Sequence, residues 1–411
     1  RRHARASAGA AAEAQLVSET FRPKGAIVTE FRTLRAGICI SLVLLGGRAD
    51  IDLAAQANLS PVPAKELVRI RAEEANLTAI AVLAVSDKGV LAVSQRRDGQ
   101  VRLFSPTGRP VATLGRSGAG PWEFRRLDAL GWVGDTLWVA DQALKRITTF
   151  HASGASGEMT ELPLQVTARS ITTMRFMFPI ISARLPDGTL LVQASGLPLP
   201  EGSQPNPVMN DPRYALRVSS EGSLQRIIGT DPPDSCRRAR GADGTTLSSS
   251  ICPRKVVATR PDGSRRVLLT AAVTSRGLGN YQVLAVNASG DTLYRRTYSV
   301  PLARISGPGR DSLLEGVGES NGMMSSSDIP YYYAPLHEAQ LGPDGELWIA
   351  LNGGHNVLRE WQRLDPRGRP LPSVWIPRAA KVMALESRGA WAVVTDDNGF
   401  QDIVLYGAPP P

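Results

Sequence analysis

The sequence predicts an all-β protein, a six-bladed β-propeller of four-stranded antiparallel blades, and three observations support this fold class. The first is a repeated pattern: a Gly or Asp turn and an apolar strand, then a polar break and a second strand ending in an aromatic residue. It runs from Asp87 to Phe104 and again from Gly134 to Phe150. The second is the spacing of the turn glycines, with intervals of 45, 54, 75, 82 and 44 residues between Gly89, Gly134, Gly188, Gly263, Gly345 and Gly389. The shorter intervals match one blade, and the longer ones contain insertions.

The third observation is the shared chemistry of these turns. Pro-Asp-Gly recurs at 186–188, 261–263 and 343–345. Proline presets φ, aspartate caps the turn and glycine takes a positive φ, as a tight hairpin requires. Trp138 and Trp348 occupy the same place after their turns, which supports a common register among the blades.

The first strand of the domain is predicted to close the ring. Residues 63–72 alternate in polarity like an exposed strand, and we expect them to form the outer strand of the last blade. The two ends of a single propeller domain, residues 58–411, would then share one sheet. Closure of this kind removes the open strand edges that promote aggregation.

Residues 1–57 are expected to form a disordered leader with a signal-peptide-like segment at about 32–57. Its apolar run of twelve residues, 36–47, is too short to span a bilayer but fits the hydrophobic region of a signal peptide. This interpretation predicts export to the periplasm or the extracellular space, with no membrane span. The alternative is that the apolar run is a buried strand of the fold.

The positive charge of the chain does not indicate a nucleic-acid partner. The net charge is +9, from 47 Lys and Arg against 38 Asp and Glu. Only six of the 47 are Lys, a skew that high-GC coding explains more simply than a binding surface does. The basic residues are scattered, with the densest group at 237–240. The distribution therefore favours a solvated surface.

Two cysteines, Cys236 and Cys252, remain if the leader is removed. A pair that closes a short loop in an exported protein predicts a disulfide, which would remove about 3 kcal/mol of unfolded-state entropy. Two buried thiols are the alternative. Zinc is not expected, because no His or further Cys lies nearby in the sequence.

The glycine-rich segment 115–124, Gly-Arg-Ser-Gly-Ala-Gly-Pro-Trp-Glu-Phe, is predicted to be a structural connection. A phosphate-binding loop would be followed by a helix whose N–H groups face the phosphate, whereas a strand pattern follows here. We expect Phe124 to pack between blades and Glu123 to bond the amides of the loop.

This segment resembles the inter-blade loop of bacterial six-bladed propellers related to the NHL-repeat proteins, and so do the turn at 364–369 and the strands at 396–406. The resemblance spans roughly residues 60–408 and departs at Trp122, where that family more often has Gly. It implies the propeller fold and export. RNA binding, which some NHL propellers perform, is the weakest functional alternative.

The residue types that could support chemistry fall mainly in one repeat. His337, Glu338, His355 and Asn356 could approach the axial face together, and such ligands suit a divalent metal. They support an alternative function, a metal-assisted lyase or lactonase at the central channel, although surface or core histidines are the simpler interpretation. Asp141 ends an inner-strand pattern and could point into the channel, or it could cap the following turn.

The tyrosines at 331–333 are the better candidates for a binding site. They lie in the insertion at 301–335, which with those at 198–212 and 231–253 interrupts the repeat. Long loops in a compact domain are often functional, and clustered tyrosines provide rigid area for stacking on sugars or contacting a protein. Coverage of the blade top is the alternative role.

No Gly-x-Ser-x-Gly elbow or other catalytic constellation occurs in the sequence. The sequence therefore favours a monomeric, non-enzymatic binding module without a cofactor, whose partner is a peptide, glycan or protein held on one rim. The residues expected to bind that ligand are Tyr331, Tyr332, Tyr333, His337, His355 and Asp141.

Overall fold

The structure is a computed structural model, and it describes most of the compact unit that extends from Ile51 to Pro411. The described residues are 60–162, 174–198, 213–231, 238–240, 246–248, 255–273, 277–309, 311, 330–353, 355 and 357–409. The predicted leader, both cysteines of the predicted disulfide and Asn356 lie outside these residues. Among the residues described, no helix is long and apolar enough to cross a membrane.

Six antiparallel sheets of four strands form the blades of a propeller, as the sequence predicts. From the innermost strand outward, blade one contains β3 (Ile80–Val85), β4 (Leu91–Gln95), β5 (Gln100–Phe104) and β6 (Pro110–Leu114). Blade two contains β7 (Leu127–Val133), β8 (Thr136–Asp141), β9 (Arg146–His151) and β10 (Ser156–Glu161). Blade three contains β11 (Met174–Arg184), β12 (Leu190–Pro198), β13 (Arg213–Val218) and β14 (Leu224–Asp231).

Blades four to six follow the same order. Blade four contains β17 (Val256–Thr259), β18 (Arg265–Val273), β19 (Leu278–Asn287) and β20 (Thr292–Pro301). Blade five contains β21 (Leu336–Leu341), β22 (Leu347–Leu351), β23 (Leu358–Leu364) and β24 (Pro370–Pro377). Blade six contains β25 (Ala380–Glu386), β26 (Gly389–Thr395), β27 (Gln401–Gly407) and β2 (Lys65–Ile70). Two short strands, β15 (Arg238–Arg240) and β16 (Thr246–Ser248), pair with each other between blades three and four in the chain.

The ring closes through the first part of the domain, and this confirms the predicted role of residues 63–72. Strand β2 pairs antiparallel with β27, from Lys65 opposite Gly407 to Ile70 opposite Ile403. The sequence did not indicate the strand before it: β1 (Val62–Pro63) lies parallel to β24 and adds a fifth strand to blade five. Adjacent segments of the same chain therefore join blades five and six.

Each interface between neighbouring blades is filled by its own apolar cluster, and six such clusters contain most of the buried apolar residues that the structure describes. The second strand of a blade is covered on both sides, so every residue of β4 and β22 is buried. β22 is entirely apolar, whereas β4 ends in the buried polar residues Ser94 and Gln95. The outer strand β2 is instead largely exposed. Trp138 and Trp348 both lie on second strands, which confirms their predicted common register.

The interface between blades three and four differs from the others. Among the described residues its cluster contains six buried apolar residues, whereas the other clusters contain between eleven and fifteen. A buried ion pair spans the same interface: Arg266 Nη2 lies 2.6 Å from both carboxylate oxygens of Asp231. The two side chains are 6% and 10% exposed.

The segment 115–124 forms the connection predicted for it. Phe124 is fully buried in the cluster between blades one and two. The Glu123 carboxylate accepts hydrogen bonds from the amide of Gly120 at 2.8 Å and from Arg116 Nε at 2.7 Å. These bonds hold the pKa of Glu123 below its usual range, with the Gly120 amide as the main cause. The loop therefore joins two blades, as expected from the strand pattern that follows it.

The two faces of the propeller carry very different connections. Strands alternate in direction, so the hairpins between first and second strands and between third and fourth strands lie on one face, which we call the turn face. Those hairpins contain two to five residues each. The other connections lie on the opposite face, the loop face, where they contain from two to 34 residues. The described strands that flank the three predicted insertions end or begin at the loop face.

Candidate functional site

The predicted site residues of blade five come together at the loop face. Tyr331–Tyr333 precede β21, His337 and Glu338 lie at its start, and His355 lies between β22 and β23. Because an innermost strand starts at the loop face and the second strand ends there, the topology alone brings these residues to one edge of the blade. We call this edge the blade-five corner.

Two of the three tyrosine rings are presented to solvent. Tyr331 is 65% exposed and Tyr333 is 37% exposed. Tyr332 is half-buried and covers Gly277, where any added side chain would meet its hydroxyl at 3.3 Å. Two backbone hydrogen bonds, of 2.9 and 3.0 Å, hold the tyrosine segment against residues 303–305. The segment thus has a fixed backbone and an aromatic outer surface.

Asn352 anchors this segment, a role that the sequence did not reveal. Its side-chain Nδ2 donates to the carbonyls of Ala334 at 2.8 Å and Leu336 at 3.3 Å, while its amide donates to the carbonyl of Pro335 at 2.9 Å. One side chain therefore ties the end of β22 to the chain that enters β21. The position of an Asn directly after a buried strand could have indicated this anchoring role, since the side-chain amide of Asn readily donates to loop carbonyls.

His337 is aimed by a β-bulge. The pairing of β21 with β22 shifts by one residue between Leu336 and Glu338, which makes His337 the extra, exposed residue. The innermost strands β3 and β7 contain the same shift, at Ala81 and Asp128. Bulges re-aim a side chain and are common beside functional sites.

His355 lies on the exposed loop of the corner, with one ring nitrogen already engaged. Its Nδ1 accepts hydrogen bonds from the amides of Val357 at 3.3 Å and Leu358 at 3.0 Å. The ring lies 5.6 Å from the ring of Trp375. Only Nε2 of His355 is therefore placed to meet a ligand.

Glu338 and Arg359 face each other toward blade six. Their closest atoms, Glu338 Oε1 and Arg359 Nη1, are 3.8 Å apart, and the side chains are 27% and 15% exposed. Burial raises the pKa of Glu338, although Arg359 and Lys381 act in the opposite direction. Burial also lowers the pKa of Arg359, and the neighbouring charge of Arg378 adds to this lowering.

Arg378 and Lys381 complete a group of three cations at the corner. Arg378 donates to two loop carbonyls, those of His355 and Gly353, each at 2.7 Å. Lys381 is exposed on β25. In the described part of the chain neither has a carboxylate within salt-bridge distance, so Glu338 alone opposes three positive charges. The sequence did not indicate this group, because its members lie on three separate elements.

Asp141 lies at the loop face of blade two, away from the corner, and is fully buried. Its Oδ2 accepts from the amides of Arg125 at 2.7 Å and Arg126 at 3.1 Å, and its Oδ1 accepts from the amide of Leu144 at 3.0 Å. These contacts are those of a cap that joins the inter-blade loop to the next turn. They match the alternative role considered for Asp141 and leave no carboxylate oxygen for a ligand.

The described residues do not assemble a metal centre: within them no three His, Cys, Asp or Glu side chains are close enough together to hold an ion. Of the four proposed ligands, His337, Glu338 and His355 lie at the blade-five corner, and Asn356 lies outside the described residues.

Comparisons with known proteins identify no family for this chain. No family model matches the sequence, and no curated protein matches it. Solved structures that resemble it include a member of the DUF4221 family from Bacteroides vulgatus (10% identity, 84% of this chain and 96% of that chain, TM-score 0.41). Others are regucalcin, a calcium-binding protein from Agrobacterium tumefaciens (11%, 85% and 96%, TM-score 0.35), and streptogramin B lyase (11%, 82% and 97%, TM-score 0.38).

Proposed function

We propose that this protein is an exported, non-enzymatic binding module that holds a peptide, glycan or protein ligand at the blade-five corner of the loop face. One observation carries the proposal: the exposed rings of Tyr331 and Tyr333 are fixed on a braced backbone at this corner. Braced aromatic rings give large contact area at low conformational cost, which is what a binding surface requires.

Export is part of the same proposal and rests on the sequence. The apolar run 36–47 between basic and acidic flanks has the form of a signal-peptide hydrophobic region. Expression of the full chain in a bacterial host, followed by fractionation and N-terminal sequencing, tests it. Recovery of a shortened chain from the periplasm is the expected result, and retention of the intact chain in the cytoplasm would contradict it.

Binding is tested by screening the labelled protein against an array of defined oligosaccharides and an array of peptides. We expect saturable binding to one ligand class, reduced at least tenfold in a Tyr331→Ala/Tyr333→Ala variant. The matched control is Leu293→Ala on the outer strand of blade four, because Leu293 is 45% exposed and lies next to the turn face. Equal binding by the tyrosine variant and the control, or no binding to either array, would refute the proposal.

A further inference from the structure

We infer that the blade-five corner binds an anionic group, a carboxylate or phosphate, through Arg359, with Arg378 and Lys381 supplying the surrounding positive charge. The inference deepens the proposed function, because it names the charge of the group that the ligand must present. It rests on the unbalanced charge of the corner and on the hydrogen-bonding state of Arg359.

The Arg359 guanidinium is held in an unsatisfied state. Its side chain is only 15% exposed, yet its nearest carboxylate oxygen, Glu338 Oε1, lies 3.8 Å away, beyond hydrogen-bond distance. Its Nε is buried and has no acceptor among the described residues. A guanidinium has five N–H donors, and leaving such donors unpaired in a partly buried position is costly. A ligand with two or more acceptor oxygens would pair with the donors on Nη1 and Nη2, which a ligand can reach, whereas Nε is buried.

Arg378 places a second positive charge next to Arg359. Its guanidinium is fixed by the carbonyls of Gly353 and His355, and no carboxylate of the described residues compensates the second positive charge that it brings. Burial is the main cause of the lowered pKa of Arg359, and the repulsive charge of Arg378 lowers it further. Packing that holds like charges together favours an oppositely charged ligand, since a neutral ligand would leave the repulsion in place.

Lys381 and Glu338 set the net charge of the site. Both lie on innermost strands, β25 and β21, and Lys381 is close enough to Glu338 to lower its pKa against the effect of burial. With Arg359 and Arg378 they give three cations and one carboxylate. Carboxylates and phosphates share the acceptor geometry that a guanidinium recognises in a bidentate manner, and a lysine adds a point charge. The exposed tyrosines lie on the same corner, where they could contact the remainder of the ligand.

The test uses three small probes with the intact domain: glucuronate for a carboxylate, inorganic phosphate for a phosphate, and glucose as the neutral control. Binding is followed by titration with NMR detection. We expect saturable binding of glucuronate or phosphate in the millimolar range, no binding of glucose, and weaker binding as the salt concentration rises. The stronger of the two anions identifies the chemical source of the charge.

The variants have effects of opposite sign. Arg359→Gln is expected to weaken anion binding at least tenfold and Lys381→Gln about threefold, whereas Glu338→Gln removes the opposing carboxylate and should strengthen it severalfold. Arg367→Gln is the control, because Arg367 is an exposed arginine in the turn-face hairpin of the same blade. Lys381 is exposed, so its variant tests the inference even if Arg359→Gln fails to fold.

Two results would overturn the inference: absence of saturable anion binding, or binding that Arg359→Gln, Lys381→Gln and Glu338→Gln all leave unchanged. Failure of the proposed function is a separate outcome. If the arrays give no ligand while phosphate or glucuronate still binds, the rim-binding proposal fails and the anion site stands. If an array ligand binds without dependence on Arg359 or on salt, only the anion inference fails.

Discussion

The ion pair between Arg266 and Asp231 is expected to be a main contributor to cohesion between blades three and four. It lies at the interface with the smallest apolar cluster among the described residues, and both side chains are at least nine-tenths buried. Replacing either residue alone, as in Arg266→Met or Asp231→Asn, would leave an uncompensated charge in that interface. Both variants should therefore be much less stable than the wild type.

The magnitude follows from the burial of the pair. Removing one partner of a buried ion pair typically costs about 3–5 kcal/mol, because the remaining charge keeps its desolvation penalty and loses its attraction. For a domain of roughly 350 residues this corresponds to a fall of roughly 4–7 °C in Tm. Replacing both partners with apolar residues, as in Arg266→Met/Asp231→Leu, should recover most of the loss, since no charge then remains buried.

Urea unfolding followed by tryptophan fluorescence measures these differences. The matched control is Arg226→Met, which removes the pair between Arg226 and Asp291 at the same interface, where the side chains are 55% and 64% exposed. An exposed pair of this kind contributes about 0–1 kcal/mol. Single variants of the buried pair that lose no more stability than this control, or a double variant less stable than either single one, would refute the reasoning.

Three further predictions concern closure, burial and metal content, and a fourth concerns the cysteines. Deleting β2 should expose the edge of β27 and cause aggregation, which size-exclusion chromatography detects. Burial raises the pKa of Glu360 above its ordinary value of 4.5, so its charged form opposes folding. The wild type therefore loses free energy of unfolding as the pH rises from 4.5 through the raised pKa of Glu360. The Glu360→Gln variant should equal the wild type in stability below this pH range and exceed it above the range. Urea unfolding at pH 4 and at pH 8 measures the difference. Elemental analysis of the purified protein should find well under one divalent metal per chain, and a stoichiometric metal would instead favour the metal-assisted alternative. Mass spectrometry with and without reductant should detect a disulfide between Cys236 and Cys252, and an unchanged mass would favour free thiols.

The blades could be predicted from the sequence because each is marked by local chemistry on the turn face. The hairpins there contain two to five residues, and Gly188, Gly263 and Gly345 each take a positive φ after Pro-Asp. Local turns of this kind depend on three or four adjacent residues, so the sequence records them directly. The closing strand was predictable for a similar reason, since its alternating polarity marks it as an exposed outer strand.

The anchoring residue and the cations of the corner could not be predicted, because they depend on contacts between distant segments. Arg359, Arg378 and Lys381 come from β23, the connection after β24, and β25, and no spacing in the sequence relates them. Asp141, in contrast, is a residue that the sequence indicated without determining its role. Its position at the end of a strand suggested either a channel residue or a cap, and only the three amides around its carboxylate distinguish these roles.

Trp122 shows how a departure from the repeated pattern acquires a structural meaning. At this position the family that the loop resembles more often has Gly, and Trp122 adopts a φ of 61°, a left-handed conformation that costs a residue with a side chain roughly 1–2 kcal/mol. Its ring packs 5.9 Å from that of Phe150, within the cluster that joins blades one and two. The aromatic contact therefore offsets the strain and adds apolar contact at the blade joint. The departure thus lies at a joint in the scaffold, whereas the exposed rings and unbalanced charges that could recognise a ligand lie at the blade-five corner.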